Sequence, residues 1–187
     1  MNVDQFLRDP VSRRRFFAMS GVGVAGGSAA FLAACGDDDE ESFAANDVEI
    51  LNGALGLEFT AVAAYEAGAP FLEGELKDVG ATFLAQEQEH VDGLTAAVRD
   101  LGGTAAVAKE MYDFPTLRNQ RDVLRFANEL ENKAVAAYLD AVPKLSTGDL
   151  RRTVYTIVAN EAEHISVLLG ALEQPQVPQA FVTGSAS

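Results

Sequence analysis

LAQEQEH (residues 84–90) and VANEAEH (residues 158–164) are two versions of one pattern, in which a Glu is followed three residues later by a His. Residues three apart on an α-helix share one face, so each Glu and His could point at the same metal ion. Both stretches lie in runs of apolar residues spaced three and four apart, as expected for helices that bury one face. The pattern consists of Glu87, His90, Glu161 and His164, and it uses both histidines of the chain.

A second pair of residues is also repeated. Glu58 and Tyr65 are seven residues apart, and so are Glu131 and Tyr138. Each of these pairs precedes one Glu–His pair, with 29 residues between the glutamates in the first half and 30 in the second. Two helix hairpins that carry one pattern indicate an internal duplication.

Four helices are predicted after residue 46, because this region is rich in Ala, Leu and Glu and lacks strand-like alternation. Short turns join them into two hairpins, and the connection between the hairpins, residues 103–119, is long enough to cross the length of a helix. The predicted fold is therefore all-α, a four-helix bundle with one long crossover between the second and third helices. The alternative is a plain up-and-down bundle in which a long loop joins those two helices. The predicted segments are about Asp47–Ala67, Lys77–Leu101, Gln120–Ala141 and Thr147–Gln174, with Asp47, Thr147 and Asp149 as candidate N-caps.

The apolar face of each predicted helix is interrupted near its middle by a glutamate. An unpaired buried carboxylate is unfavourable, and two divalent cations would balance the charge of four carboxylates. One Glu from each of two helices, with a Glu-x-x-His from each of the other two, is the ligand set of a carboxylate-bridged metal pair. The expected ligands are Glu58, Glu87, His90, Glu131, Glu161 and His164, with no catalytic residue separate from them.

Two tyrosines lie two turns beyond the glutamates on the same helix faces. The hydroxyl groups of Tyr65 and Tyr138 are predicted to donate to a carboxylate across the bundle and so to orient it. The alternative is that each ring only fills the end of the core.

The doubled pattern resembles the ferritin-like superfamily, and within it most of all the rubrerythrins and bacterioferritins, over residues 47–173. This resemblance implies a ferritin-like bundle with two iron ions, or with two manganese ions as the alternative. It also implies that Glu87 and Glu161 bridge the ions and that each ion takes one histidine. The implied function is reaction of Fe(II) with O2 or peroxide; the alternatives are disproportionation of peroxide at two manganese ions and a non-catalytic metal-binding envelope stress protein.

The chain departs from these families in several places. Rubrerythrins carry a cysteine-bound iron site that supplies electrons, whereas Cys35 is the only cysteine here, so an external electron donor is expected. The positions of their extra glutamate hold Asn128 and Ala134. Bacterioferritins bind haem through a methionine, but Met111 lies in the crossover, so no haem is expected. A storage cage is not expected, because a fifth helix is missing. A homodimer is the oligomeric state that the sequence leaves possible.

Residues 1–35 are predicted to be an export signal. SRRRFF at residues 12–17 resembles a twin-arginine signal, with Arg13 and Arg14 as the arginine pair. LAAC, which ends at Cys35, resembles a lipobox, whose cysteine is lipidated and becomes the mature N-terminus. A protein exported by the twin-arginine route and lipid-anchored at the outer face of the cytoplasmic membrane is therefore expected; an uncleaved membrane helix or an incidental thiol is the alternative.

The remaining chain is predicted to comprise an acidic tether (residues 36–46), the helical bundle (47–174) and a flexible tail (175–187). The chain has 28 acidic and 14 basic residues, and its net charge of −14 argues against a nucleic-acid partner. A single cysteine excludes an internal disulfide, a zinc ribbon and an iron–sulfur cluster. The expected partners are O2 or peroxide, an electron donor and the bilayer surface.

Overall fold

Four long helices make up most of the chain that the computed structural model describes, residues 37–184. Two single-turn 3₁₀ helices, Ala69–Phe71 and Val142–Lys144, follow the first and third of them. Within the described residues there is no strand, which confirms the all-α prediction. The helices are α1 (Asp37–Gly68), α2 (Glu75–Asp100), α3 (Gln120–Ala141) and α4 (Gly148–Ala171).

Local signals explain where α3 and α4 begin. The side chain of Asn119 accepts a hydrogen bond from the backbone N–H of Asp122, and that of Thr147 accepts one from Leu150. Each bond satisfies one of the N–H groups that the first turn of a helix leaves free. Thr147 is therefore an N-cap, as predicted.

The start of α1 differs from the prediction. The helix begins at Asp37, so residues 37–46 are helical and do not form the separate acidic tether that was expected. The physical reason is that no Gly or Pro interrupts the chain between Asp37 and Asn52. Asp47 is therefore not an N-cap; it is fully buried in α1, where it accepts hydrogen bonds from the backbone N–H and the hydroxyl group of Ser146.

Two hairpins, α1–α2 and α3–α4, form the bundle, and α1 also packs against α3. The crossover, residues 101–119, is attached to α1 through Asn52. The amide of that side chain donates to the carbonyl oxygen of Thr104 (3.0 Å) and accepts from the N–H of Ala106 (2.7 Å). This arrangement confirms the four-helix bundle with one long crossover.

The core consists of two main apolar clusters at different levels along the bundle. One contains Leu55 of α1 and Leu94 of α2, and the other contains Phe83 of α2 and Leu124 of α3. Each helix places one buried glutamate between these levels, so the site lies inside the bundle. None of the helices within residues 37–184 is long and apolar enough to cross a membrane.

The C-terminal residues up to 184 form no fifth helix, but they are not free of the bundle as the prediction of a flexible tail implied. Gln176 lies against Gly170 of α4, and Gly184 lies against the α3 backbone near Asn132. Gly184 has a φ of 73°, and a Cβ there would lie 2.3 Å from the carbonyl oxygen of Asn132, so this close approach requires glycine. Residues 185–187 and the predicted export signal, with Arg13, Arg14 and Cys35, lie outside the described residues.

Candidate metal centre

The four glutamates of the doubled pattern meet inside the bundle. Glu58 comes from α1, Glu87 from α2, Glu131 from α3 and Glu161 from α4, and each is at most 1% exposed. Buried carboxylates are rare unless they are paired or bind a cation. Four at one place therefore need a specific source of positive charge.

His90 faces three of these carboxylates. Its Nδ1 lies 3.2 Å from Oε2 of Glu58, 3.2 Å from Oε1 of Glu161 and 3.5 Å from Oε2 of Glu87. One nitrogen carries at most one hydrogen, so it cannot donate to three acceptors at once. The four side chains form one cluster, in which one ligand atom from each lies within 4.8 Å of the others.

His164 faces the other side of the same group. Its Nδ1 lies 3.2 Å from Oε1 of both Glu131 and Glu87 and 3.3 Å from Oε2 of Glu161. These side chains form a second cluster with the same 4.8 Å limit. Glu87 and Glu161 belong to both clusters, which is the position of a carboxylate that bridges two ions.

The two tyrosines cross the bundle in a reciprocal way. Tyr65 of α1 donates its hydroxyl hydrogen to Glu131 of α3, and Tyr138 of α3 donates to Glu58 of α1. Both rings are buried. Tyr138 donates to Oε1 of Glu58 and leaves Oε2 to face His90, whereas Tyr65 donates to Oε1 of Glu131, the same oxygen that faces His164.

Four oxygen atoms show that this site suits metal ions. Both carboxylate oxygens of Glu87 and of Glu161 are buried, and none has a hydrogen-bond partner among residues 37–184. They lie 3.2–3.5 Å from the imidazole nitrogens, without the alignment of a hydrogen bond. Carboxylate oxygen and imidazole nitrogen are suitable ligands for Fe(II) and Mn(II) alike, so the donor set fits a pair of such ions.

Without metal, burial controls the protonation of two glutamates. Burial raises the pKa of Glu58 to about 8, and it raises the pKa of Glu131 well above its usual value. Burial and the nearby carboxylates also raise the pKa of Tyr65 and Tyr138. The tyrosines therefore keep their hydrogens and act as donors.

The histidines and the shared glutamates form the charged part of the metal-free site. Burial alone would lower the pKa of both histidines, but the carboxylates that face them raise it to about 12 for His90 and about 11 for His164. Burial would raise the pKa of Glu161 and Glu87, but the histidines outweigh it and lower the pKa of Glu161 to about 2 and that of Glu87 below its usual value. At neutral pH two imidazolium groups thus balance two carboxylates.

A cavity of about 200 Å³ lies between α1 and α3, and Glu58, Glu87 and Glu131 are among the residues that line it. The duplication relates all of its other lining residues in pairs 73 positions apart. The small side chains of Ala61 and Ala134 leave room beside the glutamates. The other lining residues are Leu57 and Leu130, Ala61 and Ala134, and Thr60 and Lys133.

Two residues near His164 were not predicted from the sequence. Gln86 Oε1 lies 2.8 Å from Nε2 of His164, and the ring of Phe83 stacks on the imidazole with 3.9 Å between centroids. Both residues are on α2, whereas His164 is on α4, so no spacing along the chain signals their contact. Glu89 and Glu163, which directly precede the histidines, are exposed.

A four-helix bundle with a long crossover and two carboxylate–histidine clusters inside it is characteristic of ferritin-like proteins. The chain belongs to the ferritin-like domain family, whose model matches residues 46–174. No curated protein sequence matches the chain significantly.

Solved structures support the same fold. A conserved hypothetical protein from Mycobacterium tuberculosis is 22% identical with a TM-score of 0.65, covering 68% of this chain and 97% of its own. A ferritin-like diiron-carboxylate protein from Bacillus anthracis is 23% identical with a TM-score of 0.63, covering 70% and 97%. The bacterioferritin of Desulfovibrio desulfuricans, described with a diiron site, is 19% identical with a TM-score of 0.65, covering 82% and 98%.

Proposed function

We propose that this protein is a di-iron carboxylate oxidoreductase of the cell envelope that reacts Fe(II) with O2 or peroxide. The observation that carries the proposal is the pair of carboxylate–histidine clusters that share Glu87 and Glu161. In this assignment Glu87 and Glu161 would bind both ions. Glu58 with His90 would complete the ligands of one ion, and Glu131 with His164 would complete those of the other.

A bound iron pair would supply electrons and Lewis acidity to O2 or peroxide. The protein's own residues fix the geometry. Tyr138 and Tyr65 hold the terminal glutamates Glu58 and Glu131 from across the bundle. Buried hydrogen bonds of this kind orient ligands before the ions arrive.

The protonation states indicate how the buried site stays neutral. In the metal-free protein the two imidazolium groups balance Glu87 and Glu161, while Glu58 and Glu131 hold hydrogens. Four carboxylates balance two divalent cations when the histidines are neutral. The side chains therefore release hydrogen ions as metal binds, and the buried charge remains zero in both states.

We propose that the substrate reaches the site through the cavity between α1 and α3. Its volume of about 200 Å³ is ample for O2 or hydrogen peroxide, and three of the four glutamates line it. The apolar side chains of Leu57 and Leu130 line its walls and limit the entry of water. Ala61 and Ala134 keep the space open.

The proposed location follows from the N-terminal sequence. Arg13 and Arg14 would direct export in the folded state, and Cys35 would carry the lipid anchor at the outer face of the cytoplasmic membrane. Because Cys35 is the only cysteine and is assigned to the anchor, electrons must come from an external donor.

Metal analysis of protein produced in its native host, followed by stopped-flow mixing with peroxide or O2, tests this function. The proposal predicts two iron ions per chain and rapid oxidation of the Fe(II) form. Glu89→Gln, which changes an exposed glutamate next to His90, serves as a control that retains both ions. Two manganese ions with rapid O2 release would favour peroxide disproportionation instead, and iron that stays Fe(II) would contradict an oxidoreductase.

A further inference from the structure

The duplication is broken around the two histidines. Positions in α2 and α4 correspond with an offset of 74 residues, which relates His90 to His164. By the same offset, Gln86 corresponds to Asn160 and Phe83 corresponds to Ile157. Asn160 carries the same amide group as Gln86 on a side chain one methylene shorter, and Ile157 has no ring to stack on His90.

The surroundings of the histidines differ accordingly. The side chain of His164 is 1% exposed, with Nε2 on Gln86 and one ring face on Phe83. The side chain of His90 is 11% exposed. In the part of the chain that the structure describes, Nε2 of His90 has no hydrogen-bond partner, and the side chain of Asn160 makes no hydrogen bond.

We propose that Gln86 is a positioning residue that makes the two ion positions unequal, so that the ion at His164 is retained and the ion at His90 exchanges with solvent. This inference rests on the proposed di-metal site. The ion at His164 is then a resident ion. The position at His90 is where substrate Fe(II) enters and oxidised iron leaves.

The hydrogen bond acts through the imidazole. When Gln86 Oε1 accepts the Nε2 hydrogen of His164, the lone pair of the ring is on Nδ1, the atom that faces the carboxylates. A partner on the second ring nitrogen fixes both the tautomer and the ring orientation of a metal-ligating histidine. Removing such a partner typically weakens metal binding about 10–100-fold.

Release of an ion requires its histidine to turn away. For His164 this breaks the bond to Gln86 and the stack on Phe83, in a place with almost no exposed surface. His90 has no such contact on Nε2 and reaches solvent, so its ring turns with less hindrance. The two ions should therefore leave at different rates.

The full-length protein loaded with Co(II) tests this directly. Excess EDTA is added, and the loss of Co(II) d–d absorption is followed over time. We expect two phases of equal amplitude. The slow phase, from the ion at His164, should be at least about tenfold slower than the fast phase, because Gln86 and Phe83 hold the ring of His164 in place. Loading of fewer than two Co(II) ions per chain would contradict the proposed function, whereas release of both ions in one phase would overturn only this inference.

Variants of Gln86 assign the slow phase. Gln86→Leu and the milder Gln86→Asn should speed the slow phase about 10–100-fold and leave the fast phase unchanged, whereas Gln86→Glu, which still accepts a hydrogen bond, should restore slow release. Gln88→Leu, two residues away and exposed, and Asn160→Leu, at the corresponding position, should alter neither phase. An unchanged slow phase in Gln86→Asn, or a faster fast phase in Asn160→Leu, would overturn the proposal.

Proton NMR of the Co(II) form gives a readout that a general loss of packing would not reproduce. The Nε2 hydrogen of His164 should give a hyperfine-shifted signal that exchanges slowly with water, because it is hydrogen-bonded and buried. This signal should disappear selectively in Gln86→Leu and persist in Gln88→Leu. Its persistence in Gln86→Leu would contradict the role of Gln86.

Discussion

Binding of two divalent ions at pH 7 should release about four hydrogen ions per chain. Four side chains hold these hydrogens in the metal-free site, two because burial raises the pKa of a glutamate and two because carboxylates raise the pKa of a histidine. They are Glu58, with a pKa of about 8, Glu131, with a pKa well above its usual value, His90, with a pKa of about 12, and His164, with a pKa of about 11.

The same linkage sets the direction of the pH dependence. Because metal ions and hydrogen ions compete for these atoms, the product of the two apparent association constants should rise with pH, by up to about four powers of ten per unit near pH 7. Above pH 8, Glu58 loses its hydrogen before metal arrives, so release should fall to about three.

Isothermal titration calorimetry with Mn(II) measures the release, from the dependence of the binding enthalpy on the ionisation enthalpy of the buffer. Glu163→Gln, which removes an exposed carboxylate beside His164, should release the same number. Release of about one hydrogen ion or none would contradict these protonation states, since the glutamates and histidines would then be deprotonated before metal binds.

Three further variants probe other parts of the structure. Tyr138→Phe should weaken Mn(II) binding about 10–100-fold, measured in competition with a chelating dye, because Glu58 loses its hydrogen-bond donor. Tyr155→Phe, at an exposed position, is the control and should not weaken binding. Equal affinities of the two variants would contradict the orienting role of Tyr138. Ala134→Leu should fill the cavity between α1 and α3 and slow oxidation by peroxide, while two ions still bind. Ala162→Leu, outside that cavity, serves as its control. An unchanged oxidation rate in Ala134→Leu would exclude this entry route. Asp47→Ala should lower the free energy of unfolding of the full-length protein by about 1–3 kcal/mol in urea denaturation, because it removes the acceptor of two hydrogen bonds from a buried position. An unchanged free energy of unfolding would show that the contact with Ser146 is not stabilising.

The glutamates and histidines of the site could be found from the sequence because helical spacing determines which residues share a face. A Glu on an otherwise apolar face has few roles other than binding a cation, and the duplication supplied the same evidence twice. The reciprocal contacts of Tyr65 and Tyr138 follow from the same spacing. The pattern thus also located the level at which the four helices meet.

Other features depend on contacts between distant parts of the chain. Asp47 has the composition of an N-cap, but its partner is Ser146, 99 residues away, so local preference could not reveal its role. Gln86 precedes Glu87 directly, yet only the packing of α2 beside α4 brings it to His164. The close approach of the C-terminal residues likewise depends on the shape of α3 at Asn132, which spacing does not encode.

A metal pair that shares Glu87 and Glu161 is the basis of the proposed function. X-ray absorption at the metal edge, combined with metal analysis of the native-host protein, measures it most directly. We expect two ions per chain with metal–metal scattering at ~3.5–4 Å, and loss of that scattering in both Glu87→Ala and Glu161→Ala. Fewer than one ion per chain, or retention of the metal pair in either variant, would contradict it.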